Sequence, residues 1–404
     1  MKSRAILRDK KYSILLFIPA VLSTLAISQG DSTLAPHGIV QLFQIINWGC
    51  ILFLLPYVIK QPGSKPFILW PVFSWFILFN FYNVNGVQIS GLLTFLYLCL
   101  FYKLDGKILN NVVRYFRYYL IFSAFLGIVA YFDFLLGLGL PHSIEEYYIQ
   151  RDNANYINYT FAYLFMELDG IRLCGLFNEP GAFGTFLALF LILDGFNYKH
   201  YGNYLLLIAG CLTLSMAFFV LVFLGFVMTV IKSKTKIILT ILFVSAAIYI
   251  IPKIHFSDYE IEYFISRFEY DTKEHKFKGD NRKNYSFISV EKEFDQGDNK
   301  LLGYGTGYCG KRGVILTLSY KTAVIEWGYL GFFLSYGLLM FAAFRLARKT
   351  RSSLILTVCF LFSIYQRPSV FSIAYFVVLF GGISYLQSFN SNKIKKDNYE
   401  ISVF

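Results

Sequence analysis

An arginine and a glutamate, Arg172 and Glu179, lie seven residues apart just ahead of an apolar run from Thr185 to Leu193. Charged side chains are costly next to lipid, and in membrane proteins they usually face a cavity or a partner. A fixed guanidinium can contact two oxygens of a diphosphate and stabilise the negative charge of a departing group. The segment therefore predicts anion binding at the start of a membrane helix. The alternative is that Arg172 extends to lipid headgroups.

Glu179 has more than one interpretation. Pro180 suits the first turn of a helix, where its missing N–H costs nothing. A carboxylate just before that turn is favoured by the helix dipole. We therefore expect Glu179 either to cap the helix, to pair with Arg172 or to bind an acceptor group, and the residues leave these roles open.

Three further charged residues are candidates for the same chemistry. Arg267 and Arg282 lie in a charged stretch and could supply a second cation beside Arg172, although such a stretch is often an ordinary solvated loop. Glu326 lies in the first turns of an apolar helix. A buried carboxylate at that place can act as a base, or it can pair with an arginine to close the fold.

A glycine-rich stretch at 303–307, centred on Gly305 and followed by Lys311 and Arg312, is the last candidate. Consecutive backbone N–H groups in such a stretch can form a nest that binds phosphate. A glycine-rich turn that returns the chain to the membrane fits the same residues. No set of histidines, cysteines and carboxylates has metal-ligand spacing, so we expect no metal and no cofactor.

The composition indicates which elements must position these residues. Of the 404 residues, 56% are hydrophobic and only 15% are charged, whereas a soluble domain has roughly 25% charged residues. Apolar stretches of spanning length recur along the chain, which predicts one all-α polytopic membrane domain over 1–404 with about twelve transmembrane helices. We place these helices at 12–29, 38–59, 67–82, 86–102, 117–140, 175–195, 203–214, 216–231, 237–251, 322–344, 353–366 and 370–387.

The distribution of basic residues orients this domain. Lysines and arginines are concentrated in the segments 2–11, 60–65, 103–117, 345–351 and 393–396. The short loops on the other side contain a single basic residue, Arg367. Cytoplasmic loops carry the excess of Lys and Arg, so both termini are predicted to be cytoplasmic. The net charge of +12 is explained by this anchoring rather than by nucleic-acid binding.

Two long polar segments, 141–174 and 252–321, then lie outside the cytoplasm, in the periplasm of a cell with two membranes. Long loops are usually functional. Within the first of them, the aromatic stretch 147–166 is predicted to be an interfacial amphipathic helix. No nucleotide is available on that side, so a transfer reaction there needs a donor that is already activated and carried on a membrane lipid.

In their order, these residues resemble the O-antigen polymerase family of membrane glycosyltransferases. The resemblance rests on Arg172-x-x-Gly175-x-x-x-Glu179-Pro180-x-x-x-Gly184, on Thr213-Leu214-Ser215, on residues 302–307 and on Glu326-x-Gly328-x-x-Gly331. It implies a GT-C-like, metal-independent, inverting enzyme of lipopolysaccharide biosynthesis in the bacterial inner membrane. It also implies undecaprenyl-pyrophosphate-linked oligosaccharide and polymer as substrates, and a chain-length regulator as a candidate partner.

The resemblance assigns roles to the candidates. Arg172, Glu179, Arg282 and Glu326 are the expected catalytic residues, and Arg267, Gly305, Lys311 and Arg312 are expected to bind substrate. The related O-antigen ligases carry a His-Asn pair about nine residues before the Glu326 position, where this chain has Thr317-Leu318. This departure favours a polymerase over a ligase that transfers polymer to lipid A core. A flippase for lipid-linked oligosaccharides is the alternative from another functional class.

Overall fold

The computed structural model of the chain is mostly helical. It describes residues 2–26, 39–60, 89–146, 154–167, 170–197, 199–230, 270–271, 276–277, 285–314, 320–367 and 370–389. The predicted helices at 67–82 and 237–251 lie outside these ranges, as do Arg267 and Arg282.

The described ranges contain helices at most of the predicted positions. The described helices are α1 Lys2–Leu22, α2 Ile39–Ile59, α3 Ile89–Lys103, α4 Gly106–Leu136, α5 Pro180–Leu193, α6 Gly202–Leu212, α7 Met216–Val230, α8 Tyr285–Gln296, α9 Tyr308–Lys311, α10 Tyr320–Ala347, α11 Arg351–Gln366 and α12 Ile373–Phe389. Of these, α8 and α9 were not predicted and lie within the predicted loop 252–321. The turn between α6 and α7 confirms two short helices there rather than one long one. The helix predicted at 117–140 begins earlier, because the side chain of Asp105 caps α4 by accepting a hydrogen bond from the Lys107 N–H.

Three of the described helices are long and apolar enough to cross a membrane, namely α2, α4 and α10. Several others are apolar but shorter, among them α5, α6, α7, α11 and α12. Helix α10 contains a π-helical turn at Phe333–Gly337, and α12 contains one at Val377–Gly381. These helices indicate a membrane protein.

The described residues between 143 and 175 form a sheet, so the prediction of an interfacial helix at 147–166 is wrong for 154–166, and residues 147–153 lie outside the described ranges. Strands β1 Ser143–Glu146, β2 Ala154–Asn158, β3 Tyr163–Glu167 and β4 Gly170–Gly175 pair in sequence order, each antiparallel to the next. The turn between β2 and β3 has Thr160 at a φ of 67°, and the Asn158 side chain accepts a hydrogen bond from its N–H at 2.7 Å. Asparagine stabilises turns in this way. A further small ribbon pairs β5 Tyr270–Asp271 with β6 Lys276–Phe277.

The sheet is fastened to the ends of α1 and α4. After α1, the N–H of Ala26 donates to the Leu176 carbonyl at 3.0 Å. Near the end of α4, the buried carboxylate of Asp133 accepts hydrogen bonds from the Tyr159 hydroxyl at 2.7 Å and from the Leu140 N–H at 3.1 Å. We call this end of the helices the sheet end.

Helix α5 lies at the centre of the core. Every residue of α5 except Ala182 is buried, and the helix packs against α6, α7, α11 and β4. A helix that is apolar all round is expected to be enclosed by its neighbours. The residues that precede α5 therefore lie in the middle of the sheet end.

Candidate functional site

Arg172 lies on β4, facing the turn that connects α6 to α7. Its side chain is buried, with 7% exposed, and its Nε donates to the Thr213 carbonyl at 3.1 Å. A buried guanidinium is stable only when its N–H groups have hydrogen-bond acceptors and its charge is compensated. This contact brings together two of the segments that the sequence singled out, 172–184 and 213–215.

The 213–215 turn is itself held tightly. The hydroxyl of Thr213 donates to the Gly210 carbonyl at 2.6 Å and accepts from the Ser215 N–H at 3.2 Å. Leu214 has a φ of 46°, which only a few non-glycine residues adopt. A Cβ on Gly184 would lie 2.9 Å from Thr213 Oγ1, so this glycine allows the turn to contact α5.

Gly175, the first glycine of the arginine segment, also has a steric role. Its φ is 61°, and a Cβ there would lie 2.6 Å from Ser123 Oγ. The same hydroxyl accepts a hydrogen bond from the Leu176 N–H at 3.0 Å. Gly175 therefore lets the chain leave β4 against α4 and turn towards α5.

Glu179 does not cap α5 with its side chain, and this corrects the capping interpretation. Its backbone is extended, with φ −142° and ψ 138°, and Pro180 follows in the first helical turn. The carboxylate instead forms an ion pair with Nη1 of Arg367, which lies just after α11. A Cβ on Gly181 would overlap the Arg367 guanidinium, so the glycine leaves room for it.

Glu326 binds backbone groups in the described structure. Its Oε1 accepts a hydrogen bond from the Cys309 N–H at 3.1 Å, and the Gly307 N–H also reaches the carboxylate. These groups belong to the start of the short helix α9, whose first N–H groups have no partner within the helix. The carboxylate therefore caps α9 from α10, as a tertiary contact.

The glycine-rich stretch is bonded to α10 through its backbone. The Tyr304 N–H donates to the Ile325 carbonyl at 3.0 Å, and the Gly305 N–H donates to the Glu326 carbonyl at 2.8 Å. Gly303 and Gly328 both have positive φ, and a Cβ on either would collide with the backbone of the other. The turn interpretation accounts for these residues, because the amide of Gly305 that a phosphate nest would use already has a carbonyl partner.

Arg312 is held on the surface beside α8. Its Nη2 donates to Glu293 Oε2 at 2.5 Å, and the other carboxylate oxygen accepts from the Tyr308 hydroxyl at 2.7 Å. The Tyr308 hydroxyl and the Arg312 guanidinium hold the pKa of Glu293 below its usual value. Burial and the contact with Glu293 raise the pKa of Tyr308 to about 12. Lys311 ends α9 and is exposed.

The structure thus brings the predicted candidates together in two groups. Arg172 and Glu179 lie at the sheet end, whereas Glu326 and Gly305 lie where the glycine-rich turn meets α10, with Lys311 and Arg312 on α9 and just after it. Among the described residues, no group of three histidines, cysteines or carboxylates is arranged to hold a metal ion.

One residue of the sheet end, Arg367, was not among the predicted candidates. The sequence did carry a signal for it, since Arg367 is the single basic residue in the short loops predicted to lie outside the cytoplasm. Its partner Glu179 is 188 positions away in sequence, so only the fold identifies the pair.

Comparison with known proteins adds no relative to this description. A scan against protein-family models, a search of curated proteins and a search of solved structures each give no match to this chain.

Proposed function

We propose that this chain is a glycosyltransferase that polymerises lipid-linked oligosaccharide repeats, an O-antigen or related surface-polysaccharide polymerase. The growing polymer on undecaprenyl pyrophosphate is the donor, and a single repeat unit on the same lipid is the acceptor. The sheet end faces the periplasm of a bacterial inner membrane, in a GT-C-like domain with about twelve crossings. Both termini lie in the cytoplasm.

The reaction is a displacement at the anomeric carbon of the donor. The oxygen of an acceptor hydroxyl forms the new glycosidic bond to this carbon, while the bond from the carbon to the diphosphate oxygen breaks. The diphosphate leaves with the bonding electron pair. The hydroxyl proton passes to a carboxylate or histidine and from there to water. Attack from the opposite face inverts the configuration.

The observation that carries the proposal is the placement of Arg172. Its guanidinium is fixed by the carbonyl of Thr213, a residue that lies against Gly184 in the first turns of α5. A preorganised cation stabilises a departing diphosphate without reorganising during the reaction. Arginine suits this role because its planar fork can contact two phosphate oxygens.

The end of the helices opposite the sheet end supports the proposed orientation in the membrane. Helix α7 runs away from the sheet end, and near its far end the Met228 carbonyl accepts a hydrogen bond from Arg351 at 2.9 Å. Arg345 lies in the last turn of α10, and Arg348 and Lys349 lie in the connection from α10 to α11. An excess of basic residues in a short connection is typical of the cytoplasmic side.

The test is polymerisation of purified lipid-linked repeats by the protein in detergent or nanodiscs. Arg172→Ala is expected to lower the rate by about 100-fold or more, since losing one charge-stabilising donor has effects of that size. Arg351→Ala is the matched control, because this arginine also donates to a backbone carbonyl but at the far end. A wild-type rate for Arg172→Ala at normal abundance would reject the leaving-group role.

The rival functions have distinct outcomes in cells. Loss of a polymerase leaves lipopolysaccharide with single repeats, whereas loss of a ligase leaves none attached. A flippase would not polymerise purified repeats at all.

A further inference from the structure

The position of Arg367 at the sheet end is unfavourable for two separate reasons. Its ion pair with Glu179 is mostly buried, with side chains 18% and 17% exposed, and removing two charges from water is expensive. It is also the single basic residue in the short loops predicted to lie outside the cytoplasm, where the bias towards Lys and Arg is absent. A residue that breaks both tendencies near a membrane is expected to have a function.

The surroundings keep this pair in one arrangement. The Arg367 N–H donates to the Ser363 carbonyl at 2.7 Å, which ties the backbone of Arg367 to the C-terminal end of α11. Gly181 leaves the space in which the guanidinium lies. Glu179 makes no side-chain hydrogen bond to its own helix, so Arg367 orients its carboxylate.

Arg172 lies on β4, the strand that leads through Gly175 to Glu179 at the start of α5. Strand β4 packs against α5, and Arg172 contacts the Thr213 carbonyl in the turn that lies against Gly184 of α5. Glu179, Arg367 and Arg172 therefore share the sheet end, and Arg367 comes from a distant part of the chain.

We infer that Arg367 is a positioning residue, which holds the Glu179 carboxylate in place to accept a hydrogen bond from the hydroxyl of the acceptor sugar. This inference rests on the proposed function and adds the acceptor side to it. Arg172 then binds the diphosphate of the donor, and Glu179 accepts a hydrogen bond from the attacking hydroxyl. Fixing a reactant within a fraction of an ångström is a large part of catalysis, and a misplacement of 1 Å can cost about 100-fold in rate.

The test exchanges the two charges, with Glu179→Arg and Arg367→Glu in one protein. The exchange is expected to restore most of the thermal stability that either single substitution loses, while polymerisation stays about 100-fold below wild type. Recovery of both stability and rate would overturn the inference, because a merely structural pair works in either orientation. Exchange of Lys321 and Glu291, an ion pair on α10 and α8, is the control and should leave the rate unchanged.

Conservative variants decide the question even if the exchanged protein does not fold. Arg367→Lys keeps the charge but not the planar fork. It is expected to raise KM for the acceptor repeat and to lower kcat, with Arg367→Gln more severe and Glu179→Gln similar to it. Unchanged acceptor KM and kcat in Arg367→Gln would also overturn the inference. A wild-type protein that does not polymerise lipid-linked repeats would instead reject the proposed function, and this inference with it.

Discussion

Replacement of Glu326 separates a capping role from a role as general base. Its carboxylate accepts a hydrogen bond from the Cys309 N–H at 3.1 Å and is also reached by the Gly307 N–H. Glu326→Ala leaves these donors without an acceptor in a mostly enclosed place. Glu326→Gln keeps a side-chain carbonyl that can accept one of them.

The expected energies follow from these contacts. Leaving a buried donor unsatisfied costs about 1–3 kcal/mol, and loss of a helix cap costs about 0.5–2 kcal/mol. The two energies refer to the same hydrogen bonds and are not added. We therefore expect Glu326→Ala to lower the free energy of unfolding by about 2 kcal/mol and Glu326→Gln to lower it by less than about 1 kcal/mol. Glu291→Ala is the control, since loss of a partly exposed ion pair costs about 0–1 kcal/mol.

The assay combines unfolding of the purified protein in nanodiscs with polymerisation by the same samples. A cap predicts that Glu326→Gln keeps most of its activity while Glu326→Ala loses stability. A general base predicts that both variants are inactive and that Glu326→Gln stays stable, because an amide cannot take up the proton. Equal destabilisation by the two substitutions would refute the capping argument.

Two further predictions concern the chain between α8 and α10. Gly303→Ala should lower the melting temperature, because a Cβ at this position collides with the backbone of Gly328. Gly310→Ala on α9 is the control, since its Cβ meets nothing within 4 Å and should leave the melting temperature unchanged. Equal melting temperatures for the two variants would contradict this packing. The pKa of Glu293 is lowered in the folded state, chiefly by the hydrogen bond from the Tyr308 hydroxyl. The ionised carboxylate therefore stabilises the folded protein at a pH above its ordinary pKa of 4.5, and this stabilisation is lost as the pH falls through the lowered pKa. Unfolding of wild type and Glu293→Gln between pH 7 and pH 3 should therefore show a difference that shrinks with acidification, and a constant difference would argue against this linkage.

Helices were predictable because their apolar runs are long and continuous. The turn near Ser215 followed from lysines on both sides of 203–231, which require the chain to return to the same side. The start of α4 was placed too late, since 106–116 is less apolar than the stretch after it and Asp105 marks the true N-terminus.

The sheet was not predictable in the same way. The stretch 147–166 is rich in tyrosine and phenylalanine, which suit an interfacial helix and a strand equally well. The pairing between neighbouring strands decides in favour of a sheet, with Tyr156 opposite Phe165 and Phe165 opposite Arg172. Non-local pairing and burial against α4 override the local preference.

The sequence by itself determined that this is a mostly helical membrane protein and that Arg172 and Glu179 lie where charge is costly. These conclusions depend on composition and on spacing within one segment, which are local properties. Only the tertiary structure decided that Arg172 contacts the 213–215 turn, that Glu326 caps a distant helix, and that Glu179 pairs with Arg367. Those partners are far apart in the chain, and the choice among several available charges depends on packing distances that no local pattern encodes.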